Sequence, residues 1–336
     1  MEKWFKIFSG AILLSTVAAC TGADATTADT QDTAKPAQSL LLGNFSADSA
    51  YSYIEHQVDF GPRVPGTEAH KECAAYIVDE LKRHGVDTMY VQHGIVEAFN
   101  GDKLPIINII AGFNPNALRR VLLVAHWDTR PWADNETSAE RRQTPIAGAN
   151  DGGSGVGVLL EIARNLGLKH PKVGVDLLFV DAEDYGDSSG FSGREDTWCL
   201  GTQYWLDNLV PYHAENLPVY GILLDMVGGK NARFHYEHFS KTKAPTATLK
   251  VWSEAQRLNH GDYFIPQMGG AITDDHIFLT NGGIPTVDIV ETLNEQTNSF
   301  PPTWHTLEDD MHNISKSTLQ AVGETVLNVI YKEKAY

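Results

Sequence analysis

A three-layer α/β fold, with a mixed, mostly parallel twisted sheet flanked by helices, is predicted by three features of this sequence. From residue 44 onward, segments with helical apolar spacing alternate with short apolar runs. That order builds a sheet with helices on both faces. Runs such as "VLLVA" and "DLLFV" are apolar without alternation, as expected of strands covered on both sides. The 336 residues are 42% hydrophobic and carry no internal repeat, enough for one large domain or two small ones.

The elements follow in order. "TEAHKECAAYIVDELKRHG" (67–85) has helical spacing at Ala74, Ile77, Val78 and Leu81, with Gly85 where a helix would stop. "DTMYVQHGIVEAF" and "PIINIIAGF" read as strands of an edge hairpin, and "VLLVAHWD" (121–128) as a buried strand. "GSGVGVLLEIARNLG" (153–167) is a helix with Asp151 just ahead of it. "VDLLFVDAE" and "YGILLDMVGG" are strands, "ATLKVWSEAQRL" a helix and "IPTVDIVE" a strand. "STLQAVGETVLNVIYKE" (317–333) closes the chain as a helix. The polar stretches 128–150 and 184–200 exceed simple connections, and such loops in α/β domains are usually functional.

The N-terminus has a different character. Lys3 and Lys6 precede "IFSGAILLSTVAA", which is too short for a comfortable membrane span. A basic start, a short apolar core and small residues read as a secretory signal over residues 1–19. Its end, "VAAC", resembles a bacterial lipoprotein cleavage box, which would make Cys20 the lipid-bearing residue. The expectation is an exported, membrane-anchored lipoprotein of the periplasm or cell envelope. Residues 20–43, including "TGADATTADTQDTAKPAQS", hold too little apolar surface to order themselves and read as a tether. The folded domain is expected over 44–336, with Cys73 and Cys199 as two unpaired buried thiols. The formal charge of −17 argues against binding nucleic acid, which wants a basic face.

Each buried strand carries acids or a histidine at its carboxyl end. "VLLVA" ends in His126 and Asp128, "DLLFV" in Asp181, Glu183 and Asp184, and "GILL" in Asp225. The "GAND" loop sets Asp151 before a helix, and His305 lies in a loop before the last one. Ligand sites of open α/β sheets lie beyond these strand ends. Crowded carboxylates raise one another's pKa, so a cation is the first candidate to neutralise them. One histidine with two carboxylates, leaving a fourth position open, is a catalytic zinc pattern, and an adjacent carboxylate outside the ligand set can act as general acid/base. Glu183 and Asp184, as neighbours, can split those roles. Asp181 has the opposite direction along the strand end and reads as a loop anchor.

Singly, each residue has an ordinary reading: Asp151 as a helix cap, Asp225 as a turn residue, His305 as a surface or core histidine. Their joint placement does not. No chemistry is assigned to His56, His84, His93, His213, His235, His238, His260 or His312.

Together "HWDTRPWAD", "GANDGGSGVGVLLEIAR", "FVDAEDYG", "GILLDMVGG", "ITDDHIFL" and "PPTWHTLEDD" resemble the animal-type zinc-dependent glutaminyl cyclases, and more closely their bacterial lipoprotein relatives. The resemblance covers roughly residues 45–336. It implies the fold that this family shares with the zinc aminopeptidases, and one zinc per chain on Asp151, Asp184 and His305. It further implies Glu183 as proton shuttle, Asp225 and Asp274 around the reacting group, and Trp304 and Phe300 as pocket wall. The implied reaction closes the N-terminal glutamine of a peptide to pyroglutamate with loss of ammonia. Two departures stand out. The second ligand, usually Glu in vertebrate members, is Asp184. A pocket tryptophan a few residues further on has no direct counterpart, with Phe191 or Trp198 in its neighbourhood.

Two rivals remain. In a di-zinc aminopeptidase, His126 and Asp225 would hold the second metal. A non-catalytic surface lipoprotein binding peptide or glycan would lack a ligand or the shuttle, and all are present. The sequence does not specify the oligomeric state.

Overall fold

A computed structural model describes residues 41–189, 194–212 and 216–335. The expected signal segment, Cys20 and nearly all of the tether lie outside these residues, as does Phe191. Leu42, inside the stretch read as tether, is docked. Its N–H donates to Asn328 Oδ1 (2.8 Å) and its carbonyl accepts from Lys169 Nζ (3.1 Å).

In chain order the first elements are α1 (Ala47–Asp59), α2 (Glu68–Arg83), β1 (Thr88–Glu97), β2 (Lys103–Phe113) and β3 (Arg120–His126). There follow α3 (Gly153–Leu168), β4 (Gly174–Val180), α4 (Leu200–Asp207), β5 (Gly221–Leu224) and β6 (Phe234–Tyr236). The remainder are α5 (His238–Lys243), α6 (Pro245–Arg257), β7 (Phe264–Met268), α7 (Asp275–Asn281), β8 (Thr286–Ile289) and α8 (Lys316–Lys332).

The main sheet runs β1-β2-β4-β3-β5-β8. β1 and β2 form the expected antiparallel edge hairpin, and β2 meets β4 antiparallel. The pairs β4–β3, β3–β5 and β5–β8 are all parallel, so the sheet is mixed and mostly parallel. Its central strands are apolar on both sides for a visible reason. Leu123 and Ala125 pack under one helical layer with Ile54, Leu159 and Val326. Their neighbours Leu122 and Val124 pack under the other with Trp205 and Leu279. Truncating one such leucine to alanine would cost about 2–5 kcal/mol.

Local signals fix the helix starts. Thr67 caps α2 by accepting from His70 N, and Ser315 caps α8 by accepting from Thr318 N. Asp151 does not cap α3. Gly152 occupies that position at φ 85° with no side-chain cap. A Cβ there would lie 2.4 Å from the Asp128 carbonyl oxygen, so both backbone and space require glycine. Asp151 is thereby left free for the strand-end rim.

Candidate active site and metal centre

The carboxyl ends of β3, β4 and β5 deliver His126, Asp181 to Asp184, and Asp225 to one rim. The Gly152 turn adds Asp151, and the loop before α8 adds His305. Asp151, Glu183, Asp184, Asp225 and His305, with Trp198, Asp274, Phe300 and Trp304, line a cavity of about 480 Å³.

Asp151, Asp184 and His305 present oxygen and nitrogen atoms all within 4.8 Å of one another. His305 Nε2 is 3.2 Å from Asp184 Oδ1 and 3.8 Å from Asp151 Oδ2. All three are buried, and Asp184 Oδ2 has no hydrogen-bond partner among the described residues. His305 adopts a left-handed backbone (φ 54°) that a non-glycine residue holds only when its surroundings impose it. Here Trp304 stacks on the ring at 3.9 Å between centroids, and Phe300 lies against Trp304 at 4.4 Å. Burial and the Arg130 guanidinium push the imidazole down to about 3, so it is neutral and able to ligate. Burial lifts Asp184 to about 7 against the pull of Arg130 and His126. Two buried carboxyls, a neutral imidazole and an orphaned oxygen suit a divalent zinc.

Glu183 lies beside this group and outside it. Its carboxyl is pushed well up by burial and by the charges of Asp274, Asp184 and Asp275, which outweigh His126. Its Oε1 accepts from Cys199 Sγ at 3.4 Å. Asp225 Oδ1 and Asp151 Oδ1 stand 3.2 and 3.1 Å from His126 Nε2. That gives a second, overlapping three-residue group able to hold a metal. Asp274 caps α7 at the cavity wall, Oδ1 accepting from Asp275 N at 2.5 Å.

Asp181 is an anchor, as its position on the strand suggested. Its Oδ2 accepts from Ile107 N (2.6 Å) and pairs with His70 Nε2 (2.8 Å), while Oδ1 takes Ala182 N. Cys73 and Cys199 are both free and buried. Of the two candidates for the missing tryptophan, Trp198 lines the cavity.

Sequence reasoning passed over Arg130, Asp134 and Asp309. Arg130, 1% exposed, donates to Asp184 O (3.0 Å), Asp184 Oδ1 (3.3 Å) and Gly186 O, and grips Asp134 with two nitrogens. Its guanidinium lies 5.5 Å from the Trp132 ring and 4.8 Å from Trp198. The available signal was an arginine between two tryptophans in an acidic loop. Asp309 accepts from Asn150 N (2.8 Å) and Asp151 N (3.0 Å), which fixes the loop carrying Asp151.

The family model for Peptidase family M28 matches residues 108–330. Tannerella forsythia glutaminyl cyclase is 51% identical, covering 87% of this chain and 100% of that one, with a TM-score of 0.83. A Zn-dependent exopeptidase from Parabacteroides distasonis is 50% identical, covering 86% and 99%, with a TM-score of 0.82. The bovine glutaminyl-peptide cyclotransferase-like protein is 26% identical over 240 residues, which are 64% of this chain. The match spans 57% of that relative's length.

Proposed function

The chain belongs to peptidase family M28, and within that family we propose that it is a glutaminyl-peptide cyclotransferase, closing N-terminal glutamine to pyroglutamate. The observation that carries this is an acid outside the ligand set, Glu183, beside a three-donor group at the wall of an aromatic cavity. The likeness to the T. forsythia cyclase supports it.

One zinc per chain fits Asp151, Asp184 and His305, whose buried carboxyls and orphaned Oδ2 want a cation. When bound it supplies Lewis-acid polarisation of the side-chain amide. The protein's own residues do the rest. Trp304, Phe300 and Trp198 wall the cavity and hold the glutamine so that its α-amine faces its δ-carbon, a proximity effect worth several kcal/mol (order of magnitude). Asp274 and Asp225 accept hydrogen bonds from the amine. Glu183 takes a proton from that amine as the new N–C bond forms, and returns it to the amide nitrogen as the old C–N bond breaks. Ammonia leaves and no net proton is consumed. Because the nucleophile comes from the substrate, the chain needs none. Cys199, its thiol pushed well up by burial and neighbouring acids, is no thiolate.

The Asp151–His126–Asp225 group and the likeness to an exopeptidase favour the second reading, a di-zinc aminopeptidase. Incubating the protein with zinc and a peptide beginning Gln, followed by mass spectrometry, separates them. Loss of one ammonia, blocked by a chelator, supports the cyclase. Loss of a whole residue makes it an aminopeptidase. No change with peptides beginning Gln or Leu sinks both and leaves a binding protein.

The N-terminal features support export as a lipoprotein whose lipid on Cys20 holds the enzyme at a membrane of the cell envelope. No helix among the described residues is long and apolar enough to cross one. Substrates are then exported peptides or proteins with N-terminal Gln. Mass spectrometry of the mature N-terminus tests the anchor. Cys20 should be the first residue and carry lipid, and a mature chain that starts elsewhere or has a bare Cys20 would refute it.

A further inference from the structure

Behind the cavity wall lies a buried group of ionisable side chains with no part in the scheme above. Asp274 belongs to that wall. His276 from α7 and Asp288 from β8 bring imidazole and carboxyl atoms within 4.8 Å of its own. The three residues are 3%, 1% and 0% exposed, too little for water to carry their charge. His276 is flanked on both ring nitrogens. Nε2 is 3.0 Å from Glu237 Oε2 and Nδ1 is 3.3 Å from Asp288 Oδ2. Glu237 accepts from Phe239 N, Ser240 N and Ile272 N. With His276 these donors overcome burial and hold its carboxyl low, hence ionised.

Asp288 is the opposite case. Neither of its oxygens accepts a hydrogen bond among the described residues, and Asp274 Oδ2 is unpartnered too. Burial pushes both carboxyls well up, helped at Asp274 by Asp225 and Asp275 and at Asp288 by Asp274 and Asp225. Two buried carboxyls facing one another cannot both be ionised unless something positive sits between them. The smallest such thing is a proton.

We propose that Asp274 meets the substrate as one half of a carboxyl pair sharing a single proton with Asp288, and that His276, braced by Glu237, fixes this pair from behind. Asp288 is a positioning residue: it touches no reacting atom and acts by holding the orientation and charge of Asp274. The shared proton leaves the pair one negative charge, enough to accept a hydrogen bond from the substrate amine without placing a second anion beside Glu183. What Asp274 does for the amine rests on the cyclase reading; the shared proton does not.

The test compares Asp288→Asn with Asp288→Ala in the whole protein. Asparagine offers an N–H to Asp274 and a carbonyl to His276, as protonated Asp288 does. It should keep kcat on a Gln-starting peptide within about threefold, whereas alanine should lower kcat about 10–100-fold, with KM moving less. Infrared difference spectra should show a protonated-carboxyl carbonyl band in the wild type that Asp288→Asn removes. Equal loss in both variants, full activity in Asp288→Ala, or no such band would overturn the proposal. So would an extra metal ion per wild-type chain that Asp288→Asn sheds, because a cation would then stand where the proton is placed. If Asp288→Ala fails to fold, the asparagine variant's kcat and infrared band still decide. Wild-type protein inactive on Gln-starting peptides would sink the cyclase reading alone, and the band would still report on the pair.

Discussion

Replacing Glu183 by glutamine asks the most direct question of the site. The substitution keeps the shape of the side chain and removes its capacity to carry a proton. The loop's backbone is held without that carboxyl, whose own hydrogen bond among the described residues is the weak one from Cys199 Sγ at 3.4 Å. Glu183 N donates to Asp128 Oδ1 at 3.1 Å and Glu183 O accepts from Cys199 N at 3.0 Å, both through the backbone. Asp184 N is likewise held by Asp128 Oδ2 at 3.2 Å. Fold and zinc content should therefore be unchanged. General acid–base catalysis contributes about 10²–10⁴-fold, so kcat should fall by that factor, about 3–5 kcal/mol in barrier height. The assay is ammonia release from a Gln-starting peptide, with zinc per chain measured by elemental analysis on the same samples and melting followed by circular dichroism. Turnover within tenfold of wild type at matched zinc would refute the shuttle role.

Removing the imidazole in His305→Ala should strip zinc from a protein that still folds, which elemental analysis beside circular dichroism will read. Gly152→Ala should cost about 1–3 kcal/mol in urea unfolding, because φ 85° and a Cβ 2.4 Å from the Asp128 carbonyl oxygen both oppose a side chain; an unchanged midpoint would contradict the turn geometry. His84, whose Nε2 takes the Tyr53 hydroxyl at 2.9 Å, is pushed down to about 4 by burial and by Arg164 and Arg83. The unfolded chain gains this proton below about pH 6.5 and the folded one only near 4, so stability is full above that window and declines as pH falls through it, on the order of 1 kcal/mol by pH 5. His84→Gln should flatten that part of the stability curve, and an identical slope would rule out His84 as its source.

What could be read from the sequence follows element length and burial. β3 and β4 were legible because both of their faces are covered, α2 because four turns repeat one apolar face, and α3 and α8 because they are long and buried over most of their surface. The helices α4, α5 and α7 have only eight, six and seven residues, too few turns for a period to stand out. The paired strands β6 and β7 have three and five. α1, although 13 residues long, buries little more than Ala50, Ile54 and Gln57, and a polar residue on that face blurs the stripe. At the rim, strand-end acids were legible because topology alone brings them together. Arg130 was not. An arginine in a polar loop reads as solvated, and only the fold shows it enclosed by Asp134, Asp184 and two tryptophans.

The crowding of acids at this rim has two causes, and only one concerns a metal. Each carboxylate assigned to zinc is held through its backbone N–H by a different buried acid from a distant part of the chain. Asp128 takes Asp184 N, and Asp309 takes Asp151 N. Hydrogen bonds to a charged acceptor are worth about 1.5–3 kcal/mol, enough to set a loop and no more than it costs to bury a second anion nearby. Asp309, pushed up to about 7 by burial and by Asp151, carries that cost visibly. Positioning acids and metal-facing acids are thus placed in pairs, and composition cannot distinguish them. What separates them is the direction of the side chain. Asp128 and Asp309 are satisfied by N–H groups of their own chain, whereas Asp184 keeps a buried oxygen with no partner among the described residues. That free acceptor, set beside a second carboxylate and a neutral imidazole, is the combination that calls for a cation.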